Sequence, residues 1–507
     1  VLTLVAALPI LVVLVLMLAV RWSAARAGVV AALGTILFAG SVFEFGGQTQ
    51  PYSFGQGVGG IVAEAGFVAL TVIAIIGPAL GIHHLQQYTG ATDRLRAGLA
   101  QITPDPRLAA LLIAWFFTLF LEGAAGFGTP VALAAPFLVA AGFRPLSAVC
   151  AAMIGHAAGV SFGAVGTPVL AQVAIVDVTG IELSRATAPY HVALGALLVG
   201  AVVVIVGRAG NGSPPWPWGA LAAVLFFVPY GLIAWFVGPE LPTLAGALVG
   251  AVGFVAVVSV VRRRDDGGTG AGTAPLDIGS MSLVRAGAPY LALVGTVLVT
   301  RMVPPIRDAL VGVEVRWQIF DTFAGDVRPL YHPALLLTMA FVVGWWAQRA
   351  PGPDVRRAFG TATHQLRWVF VALVAMVTIA FTMSHSGMTT ELADSAAATG
   401  RWWPLLAPAV GVLGTFVTGS ATASNVLFTE FQQTTAQATG LPTIPMLGAQ
   451  GFGAAVGNII CPHNIVAAAA TVGLSGQEGR VLRVTMPVAL TYAALGGVFA
   501  SLFVTWW

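Results

Sequence analysis

Four short stretches of this 507-residue chain set small, polar and helix-breaking residues inside otherwise apolar sequence. They are 122–130 (EGAAGFGTP), 155–168 (GHAAGVSFGAVGTP), 414–425 (GTFVTGSATASN) and 457–464 (GNIICPHN). Proline removes a backbone donor and glycine frees φ, so each stretch predicts an interrupted helix. A helix that restarts after such a break points unpaired N–H groups, and a partial positive charge of roughly half a unit, at the break. That end suits a carboxylate. The residues that would present donors there are Gly126, Gly128, Thr129, Gly166 and Thr167 in one half, and Gly419, Ser420, Thr422, Ser424, Asn425, Asn458 and Asn464 in the other. The chemistry is recognition of a small anion.

Ionisable residues within apolar sequence point to proton transfer. Glu122 stands at the mouth of the first stretch, His156 inside the second, His385 in SHSGM (384–388) and His463 in the last. At mid-membrane each costs roughly 2.5–3.5 kcal/mol on insertion scales, so each is a functional candidate. For His156 a neutral, hydrogen-bonded core histidine is the competing reading. Glu64 and Arg301 fall nearer predicted span ends, where a snorkelling or interfacial role weighs at least as much as a functional one. His83 and His84 are adjacent at a span end and read as interfacial. The chain has no lysine, hence no G-x-x-x-x-G-K-[ST] phosphate loop. It has no His/Cys cluster with zinc spacing and no nucleophile elbow with a triad. No enzyme activity, metal or cofactor is expected.

The elements that must position these residues are set by composition. Hydrophobic residues make up 57% of the chain and charged residues 8%, against about 25% charged in soluble domains. The surface must therefore face lipid. Runs long enough to span a bilayer predict an all-α polytopic membrane protein with about 12–14 hydrophobic passes. The apolar first twenty residues read as a span, since no basic region precedes them and no small-residue cleavage site follows. A Gly-rich charged stretch, 262–281, divides a half at 1–261 from a half at 282–507 and reads as a cytoplasmic linker. Placing the arginine-rich loops inside puts the N-terminus outside. The net charge of +3 carries no basic stripe for nucleic acid. Cys150 and Cys461 read as small packing residues.

The breaks come in matched pairs about forty residues apart, Gly126 with Gly166 and Gly419 with Asn458. Broken backbone survives in a membrane only within protein or around water. Paired interruptions in two halves mark the midplane site of secondary transporters. Close helix packing through small residues is the plainer reading, but Pro130, Pro168 and Pro462 favour true breaks.

At these stretches the chain resembles the lactate permease family, which also transports glycolate. The resemblance rests on EGAAGFGTPVA (122–132), FGAVGTP (162–168), SHSGM (384–388), PYLALVGTVLVTR (289–301) and GTFVTGSATASNVLF (414–428), in order. It implies two inverted-topology repeats with re-entrant hairpins and broken helices, kin to a larger ion-transporter group. It implies hairpin tips near 126–129 and 419–425 and breaks near 163–168 and 458–464. It further implies proton-coupled uptake of lactate or a related 2-hydroxy monocarboxylate at the cell membrane. The alternatives are a sodium-coupled carrier of another organic anion, such as acetate or a dicarboxylate, and an anion channel. A homo-oligomer is left open. Two departures stand out: Ala421 where the family has an acidic residue, and Asn458 where it has lysine. His156, His385 and His463 stand where the family more often has Asn, Tyr and Gln, which assigns histidine part of the proton-carrying role.

Overall fold

A computed structural model describes residues 2–20, 22–47, 50–100, 105–126, 129–209, 213–265, 281–474 and 477–507. Most of these are helical. Among them nine helices are long and apolar enough to cross a membrane, or up to eleven when each of two bent pairs is taken as one span. The bent pairs are Pro145–Ala157 with Val160–Val173, at 62°, and Gly180–Leu194 with Ala196–Arg208, at 42°. Leu2–Met17, Pro130–Val139 and Pro333–Gln348 are apolar but shorter. The chain is a multi-pass membrane protein.

The surface of the outer helices is apolar: Leu4, Leu37, Leu70, Val252 and Val284 are all exposed. In water each such side chain would forfeit about 1.5–3 kcal/mol; against lipid it forfeits nothing. The interior is instead rich in small residues, which let helix backbones approach closely. The helices Trp403–Thr418 and Thr443–Gly457 pack so closely that a Cβ on Gly411 would lie 2.5 Å from the Gln450 carbonyl. A Cβ on Gly453 would run into the Pro408 carbonyl.

The division near 262–281 is only partly visible. The helix Pro242–Asp265 runs into it, and Leu283–Met302 begins beyond it with Ser282 accepting from the Arg285 amide. Residues 266–280 lie outside the described residues.

One element departs from the all-α expectation. Between the helices Leu283–Met302 and Pro333–Gln348, Val315–Ile319 and Phe323–Val327 pair as an antiparallel hairpin. Phe323 is fully buried between Tyr52, Gly60 and His385. Gly60 has to be glycine, since a Cβ there would enter the Phe323 ring.

Candidate functional site

The first half builds its two breaks from successive helices. The span Pro106–Ala124 contains a wide π-turn at Leu112–Phe117 and ends at Ala125. Gly126 then takes φ +56, a left-handed backbone that glycine adopts without steric cost. The chain re-enters as the helix Thr129–Ala140. Phe127, Gly128 and the Thr129 side chain lie outside the described residues. After Pro145–Ala157 a short 3-10 turn, Val160–Phe162, leads into Gly163–Val173. Within that segment Ala164, Val165 and Gly166 all have positive φ, at 42°, 56° and 79°. A β-branched residue with positive φ is a genuine outlier, and such strain persists only where the surroundings over-determine it.

What surrounds this turn is the hairpin tip. A Cβ on Gly126 would lie 3.1 Å from the Ala164 Cβ and 3.3 Å from Glu122 Oε1. A Cβ on Gly163 would collide with the Glu122 carboxylate. Glu122, Gly126, Gly163 and Ala164 therefore form one contact group, and Glu122 is buried. Thr167 is fully buried, its hydroxyl donating to the Ala164 carbonyl.

The second half repeats the order. Trp403–Thr418 ends at Gly419, φ +77. Ser420 caps the next helix, Ala421–Thr439, by accepting from the Ala423 amide at 3.3 Å. Then come Thr443–Gly457, a break at Asn458, and Pro462–Thr471. A Cβ on Gly419 would stand 3.3 Å from the His463 Cβ, so this tip also meets its own half's break. Thr422 is buried. The Ser424 hydroxyl donates to the Gly411 carbonyl at 2.9 Å, so Ser424 and Thr167 spend their hydroxyl protons on backbone.

The two halves then interlock. Ala421–Thr439 packs against Gly163–Val173, and Pro462–Thr471 packs against Thr129–Ala140. Asn425 Nδ2 donates to the Pro168 carbonyl at 2.9 Å. Asn464 Nδ2 donates to Asn458 Oδ1 at 2.7 Å, and Asn458 Nδ2 reaches the Ala454 carbonyl at 3.4 Å. Ala421 lies in a small apolar cluster with Val160, Ala454 and Ala455. Where the family resemblance implied an acidic residue and a lysine, this chain thus has methyl groups and a neutral amide pair.

Among the buried glutamines that escaped the sequence reading, three lie near the breaks. Gln432 Nε2 donates to Gln450 Oε1 at 3.2 Å, and Gln450 Nε2 lies 3.3 Å from Ser424 Oγ and 3.4 Å from Asn425 Oδ1. Gln172 Nε2 donates to the Leu447 carbonyl at 3.1 Å. The available signal was spacing: Ser424 and Gln432 are eight apart, hence on one helix face. A second network was also missed. Ser161 Oγ donates to the Gly451 carbonyl at 3.1 Å and accepts from His191 Nε2 at 2.8 Å, while Tyr492 donates to His191 Nδ1 at 2.9 Å. The single hydroxyl proton of Ser161 fixes this direction. His191 has a partner on both ring nitrogens.

The expected proton-carrying histidines do not gather in one place. His156 is buried; its Nδ1 lies 3.1 Å from the Ala152 carbonyl, and its Nε2 has no partner among the described residues. His463 is exposed beside the second tip. His385 lies 3.3 Å from Glu64, and the neighbouring Ser384 hydroxyl donates to Glu430. Glu64 is therefore a paired group rather than a snorkelling one, and it also accepts from the Ala324 amide at 2.9 Å. His83 and His84 are likewise buried, with His84 Nε2 at 3.1 Å from Gln365 Oε1. The Arg301 side chain lies outside the described residues.

Similarity to known proteins covers the whole of this arrangement. The L-lactate permease family matches residues 2–506. The L-lactate permease of Salmonella typhi is 30% identical over 472 residues, covering 86% of this chain and 85% of that protein. The glycolate permease GlcA of Escherichia coli K12 is 28% identical over 483 residues, covering 84% and 83%. The YdaH transporter of Alcanivorax borkumensis overlaps 89% of this chain and 87% of its own at 14% identity, with a TM-score of 0.46.

Proposed function

The chain belongs to the L-lactate permease family, and from that premise we propose that it takes up lactate, glycolate or a related short 2-hydroxy monocarboxylate, coupled to protons, by alternating access. One observation carries the reading. Four helices restart at the two tips and two breaks, at Thr129, Thr167, Ala421 and Pro462, and contacts through Gly126–Ala164, Gly419–His463 and Asn425–Pro168 bring those starts together. Each helix start contributes a partial positive charge of roughly half a unit. With no lysine in the chain, helix ends and amides supply the attraction for a carboxylate.

The matched order tip, helix, helix, break in each half supports reading 1–261 and 282–507 as two inverted repeats around this junction. Thr167, Asn425, Asn458 and Asn464 are nearly or fully buried. Substrate reaches them only when one half moves against the other, which is the rocking motion of repeat-built carriers.

Charge requires a co-ion. Carrying one negative charge inward against 100 mV costs about 2.3 kcal/mol. Glu122, at the first tip, is placed to take a proton together with the anion. The Glu64–His385 pair beside Glu430 is a second proton store, and Glu430 lies on the same helix as the second tip, roughly 15 Å along its axis from Ser420.

Uptake of labelled lactate into proteoliposomes, with proton and sodium gradients imposed in turn, tests this reading. Proton-driven accumulation is expected. Accumulation driven by sodium alone would replace the proton, and conductance without accumulation would mean a channel.

A further inference from the structure

The second break contains a polar atom that the protein leaves unused. Asn464 is 1% exposed, and its Oδ1 has no hydrogen-bond partner among the described residues. The orientation of this amide follows from its neighbours. The Ala454 carbonyl can only accept, so Asn458 must turn its Nδ2 toward it. Asn458 then offers Oδ1 to Asn464, which must answer with Nδ2. Asn464 Oδ1 is left as an acceptor in search of a donor. Buried acceptors are almost always satisfied in native proteins, so an orphan of this kind calls for a missing partner.

Its place identifies that partner. Asn464 is the third residue of the helix Pro462–Thr471, a ten-residue helix whose N-cap, Cys461, makes no side-chain capping bond. That helix start carries a partial positive charge of roughly half a unit, suited to a carboxylate, beside one buried acceptor. A 2-hydroxy acid has the complementary pair, an anionic end and a hydroxyl donor on the adjacent carbon. Acetate and propionate have only the first. We propose that Asn464 accepts a hydrogen bond from the substrate's 2-hydroxyl and so selects hydroxy acids over plain carboxylates. This rests on the transport reading above.

The test begins with the wild-type full-length protein in proteoliposomes, measuring inhibition of labelled lactate uptake by lactate, glycolate and propionate. Propionate is expected to be at least roughly tenfold weaker than lactate, because a site built to bond a hydroxyl rejects the analogue that lacks it. In Asn464→Ala the lactate-to-propionate preference should fall about tenfold, mainly through loss of lactate affinity. If propionate competes with wild-type protein as well as lactate does, Asn464 does not read the hydroxyl, whatever the variant does and even though lactate is carried. A preference that persists unchanged in a folded Asn464→Ala protein overturns the assignment equally. If neither lactate nor glycolate is taken up, the transport reading falls and takes this inference with it.

Discussion

Asn425 of the second hairpin donates a 2.9 Å hydrogen bond to the Pro168 carbonyl of the first broken helix. Both residues are buried. The bond joins positions 257 residues apart, and it is a direct polar tie between one half's tip and the other half's break.

Asn425→Ala removes that tie and leaves a buried carbonyl with one partner fewer. A loss of about 1–3 kcal/mol is expected, read as a lower melting temperature in detergent, with transport reduced more than the melting shift explains. Asn425→Asp should abolish transport, since a carboxylate would face both the Pro168 carbonyl and an incoming anion. Uptake at wild-type rate in Asn425→Asp would remove this helix start from the substrate path.

Gly163 and Glu122 compete for one volume. Gly163→Ala should cost roughly 1–3 kcal/mol by overpacking. Shortening the carboxylate with Glu122→Asp in the same chain should recover part of that cost. A double-mutant cycle is the measurement, and a coupling of about 0.5–3 kcal/mol is expected for residues in contact. Additive losses would show that the two side chains do not share space.

His385 and His156 should separate in function. His385 pairs with Glu64, so His385→Ala is expected to flatten the dependence of uptake on external pH. His156 lies in the core with one ring nitrogen unpartnered among the described residues; His156→Ala should change stability more than pH dependence. The opposite pattern, measured by uptake across a series of external pH values, would move the proton site to the second stretch.

Phe323 holds the β-hairpin down on the membrane domain. Phe323→Ala should cost roughly 3–5 kcal/mol of local stability, the range for a large buried aromatic. Limited proteolysis reads it: cleavage within 315–327 should rise while the helices stay intact. Equal protection in wild type and variant would mean that the hairpin is held elsewhere.

At the start of the span Pro106–Ala124, Asp105 caps the helix and accepts from Arg107 at 2.8 Å and 3.1 Å. The Arg107 hydrogen bonds hold its carboxyl below the usual carboxylate range. A lowered folded value means stability that is present above the unfolded value, near pH 4, and lost as pH falls through the folded one. Asp105→Asn keeps a capping oxygen and removes the charge. The variant should melt below wild type at pH 7, and the gap should narrow progressively as pH falls below about 4. A constant gap across pH would assign the effect to capping alone.

The sequence alone determined the membrane class and the locations of the discontinuities. Too few charges exist to clothe 507 residues in water, and glycine and proline state locally where a helix stops, as Gly126, Gly166, Gly419 and Pro462 do. It also identified the residues around Asn425 and Asn464, because polar side chains stand out against apolar flanks. Pairing was not local information. That Asn425 meets Pro168, that Gly163 exists to admit Glu122, and that Ala421 lies among Val160, Ala454 and Ala455 follow from how distant helices cross. The same holds for Glu64, which the chain places near a span end and the fold places against His385 and a β-strand amide. Helix periodicity fixes which residues share a face; only tertiary packing decides which face meets which, because contact energy depends on neighbours hundreds of residues away.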